Sequence, residues 1–559
     1  MKKIIAQHKF LLTLLLFIFV SLASIYLTGL NGHIWTFLGM NNDGRFHVVR
    51  MEGLYESMRD GVYLPAVNMT FMDGFGYISN IFYSNLWLYP VALLRMAGLS
   101  IAESFVAYYV ILNFCTLLIS FWSFYQVSHR YDKSLVFSLI YSLSIYRIFD
   151  MVRRFDIGET LTFTFLPLVV LGVYAIFYGN RQKWIYLAIG MSAVIYSHAL
   201  SPILIVIFIL MVMVLRSKTL IREPRRLLSL LYASLTSLAL TLAYFLPIYE
   251  QLKTTQFKLT HDPLLYISQG SMGLSDLWHW SLTSDLYNQN IGALFLLVIL
   301  IIPFTVWFVK NPPIRDFAII AEILFFMTTN LFPWQLFVNT PLNMIQFPWR
   351  FFMIISILIA IILASDPINW FKQTWKKVLL VGIAFGLTIG SEQMLIKNHP
   401  DEYQLYSQFN DLNKFSIGAG QEYLPKSAQL NALAATSHLP QLQSGTAEIF
   451  DFKQKGSKIQ FKYKNAQKAK VDVPVISYHG YSAKNSTGKV SEIRMNQENN
   501  GLGQLTIDGA GKVEIDYFKT TIQRISRNCS IFSLFILILG VIFQKKLQNR
   551  VSLENNELV

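Results

Sequence analysis

Asp43, His47 and Arg50 stand at i, i+4 and i+7 in the stretch "NNDGRFHVVRMEGLYESMRDG", which follows the first apolar run of the chain. If this stretch is helical, all three side chains share one face. A carboxylate can deprotonate an acceptor hydroxyl or hold a divalent metal such as Mg or Mn, and an imidazole can serve as a second acid or base. A guanidinium pairs with phosphate through its planar fork. Together they read as an acid or base with a cationic partner. The competing reading is a wet surface helix with ordinary charge pairs among Glu52, Glu56 and Arg59.

Other stretches add candidates. "RRFDIGE" (153–159) supplies Arg153, Arg154 and Glu159. Two arginines on the outer side oppose the positive-inside bias, so a partner is expected, and an anionic phosphate is one candidate. Alternatively, Glu159 is only a first-turn acid that complements a helix dipole. "MDGFGYISNIFYSNLWLYP" (72–90) carries Tyr77 and Tyr83 beside Gly74 and Gly76, and reads either as a substrate-lining loop or as an aromatic belt. His198 in "YSHALSP" and Arg350 in "QFPWRFF" are either site residues or, respectively, a polar group satisfied between helices and an interfacial anchor beside Trp349. No phosphate loop, dinucleotide fingerprint, zinc motif or nucleophile elbow is visible. That disfavours a nucleotide-driven enzyme and points to a lipid-linked donor.

These residues must be positioned by membrane helices. The chain is 53% hydrophobic and 14% charged, against about 25% charged in globular proteins. Its net charge of +14 lies in short loops and calls for no nucleic acid. Cys115 and Cys529 sit in or beside apolar runs, with spacing for neither a disulfide nor a metal site. The N-terminal apolar run is longer than a signal-peptide core and reads as an uncleaved first helix.

Twelve spans are predicted, at 9–29, 101–127, 134–149, 160–179, 183–198, 201–215, 227–249, 290–309, 316–337, 348–366, 377–394 and 528–545. "RSKTLIREPRR" (216–226), with five bases and one acid, marks the cytoplasm. Counting from it puts 129–133, 180–183, 310–315 and both termini inside. The count requires that 85–98, short and containing Pro90, be re-entrant or interfacial. Residues 30–100, 150–159, 197–202, 250–289 and the turn before 346–352 then lie outside. Residues 1–394 form the transmembrane core, 395–526 an extracytoplasmic β-rich, sandwich-like domain, and 527–559 the final helix and tail. Strand alternation is clear in "KIQFKYK" and "KVEIDYF", and "DGAG" (508–511) reads as a hairpin turn.

The outer-loop pattern Asp43, His47, Arg50 followed by Gly61, Tyr63 and Pro65 resembles the multispanning glycosyltransferase C superfamily. "GFGY…FYSNLWLYP", "IGETL…LPL", "SHALS" and "QFPWRF" resemble its bacterial branch labelled 6-pyruvoyl-tetrahydropterin synthase-related, close to the YfhO-like family; the tail resembles the YfhO-like C-terminus. The label implies no pterin chemistry. The resemblance implies transfer of a sugar from a polyprenyl-phosphate carrier to an extracytoplasmic cell-wall polymer, glycolipid or protein. It makes Asp43 the base or metal ligand; the parity of the spans places Glu159 on the same side as a second carboxylate. Arg50, Arg153, Arg154 and Arg350 would hold the carrier phosphate. A transporter or lipid flippase, and a non-catalytic envelope-assembly protein, are the rival readings.

Overall fold

Long apolar runs have to form helices wherever their backbone groups cannot reach water, and helix dominates this chain. The computed structural model describes residues 2–26, 43–260, 265–400, 412–486 and 490–557. Among them, six helices are long and apolar enough to cross a membrane: His8–Ile25, Ile101–Ser128, Ile157–Phe177, Pro348–Ser365, Thr374–Asn398 and Thr521–Phe543. Two bent pairs, Tyr131–Ser142 with Ile145–Arg154 (44°) and Arg225–Leu240 with Leu242–Thr254 (65°), raise the number to eight. The other four expected spans fall on the helices Ile185–Ile195, Ser201–Leu215, Ala293–Thr305 and Pro312–Met327. The longest of these has 16 residues. At about 1.5 Å per residue it falls short of a hydrocarbon core of about 30 Å. Length and composition therefore support six to eight spans rather than twelve.

The 85–98 segment is a 3-10 turn, Leu86–Leu88, followed by the helix Tyr89–Met96. Eight residues are too few to cross. Close packing is clearest where Ile157–Phe177 meets Ile185–Ile195. A Cβ on Gly172 would lie 2.2 Å from the Leu187 backbone nitrogen, so only glycine fits this crossing.

The loops gather at two opposite ends of the bundle. At one end Lys377 Nζ reaches Asp132 (2.6 Å), Lys133 Nζ donates to the Ser365 carbonyl (2.5 Å), and Arg216 pairs with Asp316 (2.5 Å). Tyr131 there donates to the carbonyl of Lys9 in the first helix (2.9 Å). The helices Ile157–Phe177 and Phe352–Ser365 run from this end to the other, where Asp43, residues 150–159, His198 and Arg350 collect.

The tail forms one antiparallel sheet rather than a two-sheet sandwich. Its strands are β1 (Gln441–Lys455), β2 (Lys458–Ile476), β3 (Tyr481–Asn485), β4 (Val490–Glu492), β5 (Arg494–Asn496) and β6 (Leu502–Tyr517). The order is β1-β2-β6-β3-β4, with β5 also on β6. The expected strands "KIQFKYK" and "KVEIDYF" fall on the longer β2 and β6. Register shifts on either side of the Ala466–Gly509 pair absorb the extra residues. "DGAG" is accordingly a bulged part of β6 and not a hairpin turn.

The place of a second sheet is taken by the loop that follows the Gly44–Arg59 helix. Val67, Phe71, Met72, Phe75, Tyr77 and Ile78 are buried in the same core as Phe461, Val471, Val473 and Ile515 of the sheet. Backbone bonds fix the junction: Ile476 N donates to Phe75 O (2.9 Å) and Met72 N to Lys414 O (3.0 Å). Gly74 (φ 104°) and Gly76 (φ 82°) provide the left-handed backbone of this loop.

Candidate functional site

The helix Gly44–Arg59 is not a wet surface helix. His47, Arg50 and Glu52 are buried on it along with Phe46, Val48, Val49, Met51 and Leu54. Asp43 precedes its first turn, and the Asp43 backbone N–H donates to the Arg154 carbonyl (3.2 Å). That bond ties the first loop to the turn at 150–159.

The turn itself is unusual. Asp150–Arg154 is a π-helical turn, and Phe155 follows in left-handed backbone (φ 62°). Such turns re-aim side chains and recur at functional sites. Asp156 then caps the next helix, accepting from Glu159 N (3.0 Å).

The result is a ring of carboxylates about the Arg154 guanidinium. Nη1 meets Glu159 Oε2 (2.5 Å) and Asp150 Oδ1 (3.2 Å), Nη2 meets Asp156 Oδ2 (3.1 Å), and Nε lies 3.9 Å from Asp43 Oδ2. Trp349 offers its ring face at 5.0 Å. Tyr146 donates to Glu159 Oε1 (2.8 Å), and Arg350 Nε lies 3.8 Å from Glu159 Oε2. Around Asp156 stand Tyr83, donating its hydroxyl (3.2 Å), His198 (3.8 Å) and His47 (4.0 Å). The four carboxylates outnumber the two guanidiniums of Arg154 and Arg350.

Accessibility separates these groups. Asp150 and Glu159 are sealed, whereas the Asp43 side chain is 43% accessible. Asp43 lies in a recess ringed by protein. This partial burial raises its carboxyl to about 6; Arg154 opposes the rise and Asp156 adds to it. Burial would also raise Asp156, but Arg154, His198 and His47 hold it below the usual carboxylate range. Burial pushes His47 down to about 3, helped by Arg50. Burial likewise lowers His198, against the pull of Asp156. Both imidazoles are neutral at pH 7.

The expected site residues divide accordingly. Asp43, His47, Tyr83, Arg154, Glu159, His198 and Arg350 converge. Arg153 sits beside them with its guanidinium over the Tyr287 ring (4.3 Å). Arg50 and Tyr77 were expected to contact substrate and do not present themselves to one. The Arg50 guanidinium donates to the carbonyls of Tyr83 (3.0 Å) and Ser84 (3.1 Å), to Asn85 Oδ1 (3.1 Å) and to His47 Nδ1 (3.1 Å), so it pins the loop 83–85. Tyr77 is fully buried under the sheet, where its hydroxyl accepts from Tyr423 N (3.0 Å). Glu159, expected as a catalytic or metal-binding carboxylate, lies sealed beneath Arg154. Sequence reasoning missed Asp150, Asp156 and Tyr146. Asp156 stands in the quoted stretch "RRFDIGE" and Asp150 three residues before it, so their acidity was visible but their convergence was not. Among the described residues no group of three His, Cys, Asp or Glu is arranged to hold a metal ion. Arg154 fills the centre of the carboxylates instead.

No family model matches the chain. One relative, an uncharacterised protein of Lactococcus lactis subsp. cremoris (strain MG1363), is 23% identical over 231 residues. The match covers 40% of this chain and 37% of the relative's length.

Proposed function

We propose that this protein is a polytopic membrane glycosyltransferase acting at the end of the bundle that carries Asp43. It would take a sugar from a polyprenyl-phosphate carrier and pass it to an envelope glycan, glycolipid or protein. The observation that supports this reading best is the accessible Asp43 carboxylate, raised to about 6 and held at the mouth of a sealed ion network. A base of that strength is largely ionised at neutral pH and still able to take a proton from an acceptor hydroxyl. Asp156, Glu159 and Asp150 fix Arg154, and Arg154 fixes Asp43. Arg153, Arg154 and Arg350 stand at this end of the bundle as the cations that would meet the donor phosphate. The short helices Ser201–Leu215 and Ala293–Thr305 would complete the membrane core, with the basic loops and both termini cytoplasmic and 395–526 outside. The resemblance of the loop motifs to the glycosyltransferase C superfamily points the same way.

A carrier is the second reading. Glu392, buried in the Thr374–Asn398 helix, has no hydrogen-bond partner among the described residues for either carboxyl oxygen, and such a group suits a proton-coupled transporter. A deletion strain separates the two. A transferase deletion accumulates the lipid-linked sugar and lacks that sugar in the envelope, and both revert on complementation. Unchanged lipid-linked sugars and envelope glycans in the deletion strain refute the transferase reading.

A further inference from the structure

A second built feature lies at the far end of the same helices. Ile157–Phe177 and Phe352–Ser365 begin at the carboxylate cluster and end at a cavity of about 320 Å³. This is within the range of about 300–1,000 Å³ typical of small-ligand sites. Its depth is apolar, walled by Phe124, Phe137, Val170, Ile357 and Ile361. Its rim is polar and carries Arg130 and Lys133.

We infer that this cavity binds an anionic phospholipid, with the headgroup at Arg130 and Lys133 and an acyl chain among the apolar helices. Each half of the ligand is specified by different residues. Arg130 is 62% exposed, and its guanidinium pairs with the neighbouring Asp132 (3.3 Å). Lys133 caps the Ser365 carbonyl with one of its three N–H donors. Lys377 shares Asp132 (2.6 Å). The other nearby acid, Asp366, accepts from the Trp370 and Phe371 backbone N–H groups (2.7 and 2.9 Å). Among the described residues, Arg130, Lys133 and the neighbouring Lys377 thus stand with two carboxylates that already have partners. The positive end of the Pro312–Met327 helix adds to the field: Asn311 and Pro313 line the cavity, and the Asn311 side chain makes no cap bond. A soluble phosphate would leave the apolar depth unfilled, whereas a neutral lipid would leave the basic rim unused. Basic pockets between membrane helices characteristically take acidic headgroups.

The test uses the full-length protein, purified in detergent and stripped of lipid. Native mass spectrometry then counts bound phosphatidylglycerol, phosphatidylcholine of the same chain length, or glycerol phosphate. Wild type should retain one phosphatidylglycerol in strong preference to phosphatidylcholine and should not retain glycerol phosphate. Each basic side chain near the headgroup is worth a factor of about 5, so Arg130→Gln with Lys133→Gln should lower retention about 25-fold. Size exclusion and thermal melting show that the double variant is folded, and the single variants serve if it is not. Equal retention of the two lipids, or equal retention by folded wild type and variants, overturns the headgroup assignment. Glycerol phosphate bound as tightly as the lipid overturns the acyl assignment.

Discussion

Replacing Asp43 by Asn should abolish transfer without unfolding the protein. The magnitude follows from the recess. The carboxyl rises from 3.8 to about 6 on folding. A folded pKa above the unfolded one means that the fold binds the proton more tightly. The associated stability is present in full below pH 3.8 and drains away as pH rises through about 6. Two units correspond to about 3 kcal/mol. With 43% of the side chain accessible, solvent screening reduces this to about 1 kcal/mol. At pH 7 the ionised carboxylate is therefore a mild burden, and Asn, neutral and of equal size, should leave the melting temperature unchanged or slightly higher. Loss of a general base should cut transfer by about 10²–10⁴. The wild-type rate should rise with pH and level off above an apparent pKa near 6. The assay is sugar release from a polyprenyl-phosphate donor in proteoliposomes, together with envelope sugar analysis. Normal glycan in cells with well-expressed Asp43→Asn, or a flat wild-type profile from below to above that pKa, refutes the assignment.

Arg154→Gln leaves buried Asp150, Asp156 and Glu159 without their shared cation, and should cost about 3–5 kcal/mol, seen as a lower melting temperature and poor yield. His47 falls from 6.5 unfolded to about 3 folded, so its contribution is present above pH 6.5 and lost as pH falls toward 3. His47→Gln, which keeps an acceptor for Arg50, should lose less stability than wild type between pH 7 and pH 5 in thermal melts. Arg50→Lys gives up the planar fork on the loop 83–85 and should cost about 1.5–3 kcal/mol. Its KM for the donor should be unchanged, and a raised KM at full stability would restore Arg50 as a phosphate ligand. In a background lacking Cys115 and Cys529, Lys218→Cys should label only from the cytoplasm and Leu93→Cys only from outside; cytoplasmic labelling at position 93 would break the proposed sidedness.

Much of the fold was legible because it rests on hydropathy. The eight longest apolar segments and the change of character after residue 395 need only residue type to be recognised. The short helix at 185–195 was overextended to 183–198, because a run of apolar residues does not show where the backbone turns. Bulges had the opposite effect. At Asn465–Lys468 and Asp508–Gly511 turn-forming residues interrupt the alternation, yet the strands continue through them. Within the site, the i, i+4, i+7 spacing of Asp43, His47 and Arg50 was correct as helix geometry. It could not reveal that the face they share is buried, because its covering comes from residues 83–85 and 150–159. The π turn was likewise invisible, and it decides that Asp150, Arg154, Asp156 and Glu159 meet instead of pointing outward in sequence.

The tail sheet belongs to this machinery more closely than its position at the end of the chain suggests. Its inner face shares a core with Phe71, Phe75 and Tyr77, and Gln454 of β1 donates to the Gly74 carbonyl (2.8 Å). The same loop continues into Tyr83, whose carbonyl accepts from Arg50 and whose hydroxyl donates to Asp156. Arg50 in turn holds His47, and Asp156 holds Arg154. A continuous set of contacts therefore runs from the sheet to the carboxylate ring and ends at Asp43. This accounts for the guanidinium, imidazole and carboxylate that recur in one short stretch beside the membrane. Arg50 and His47 are the sealed struts of the loop, and Asp43, one turn earlier, is the member left accessible.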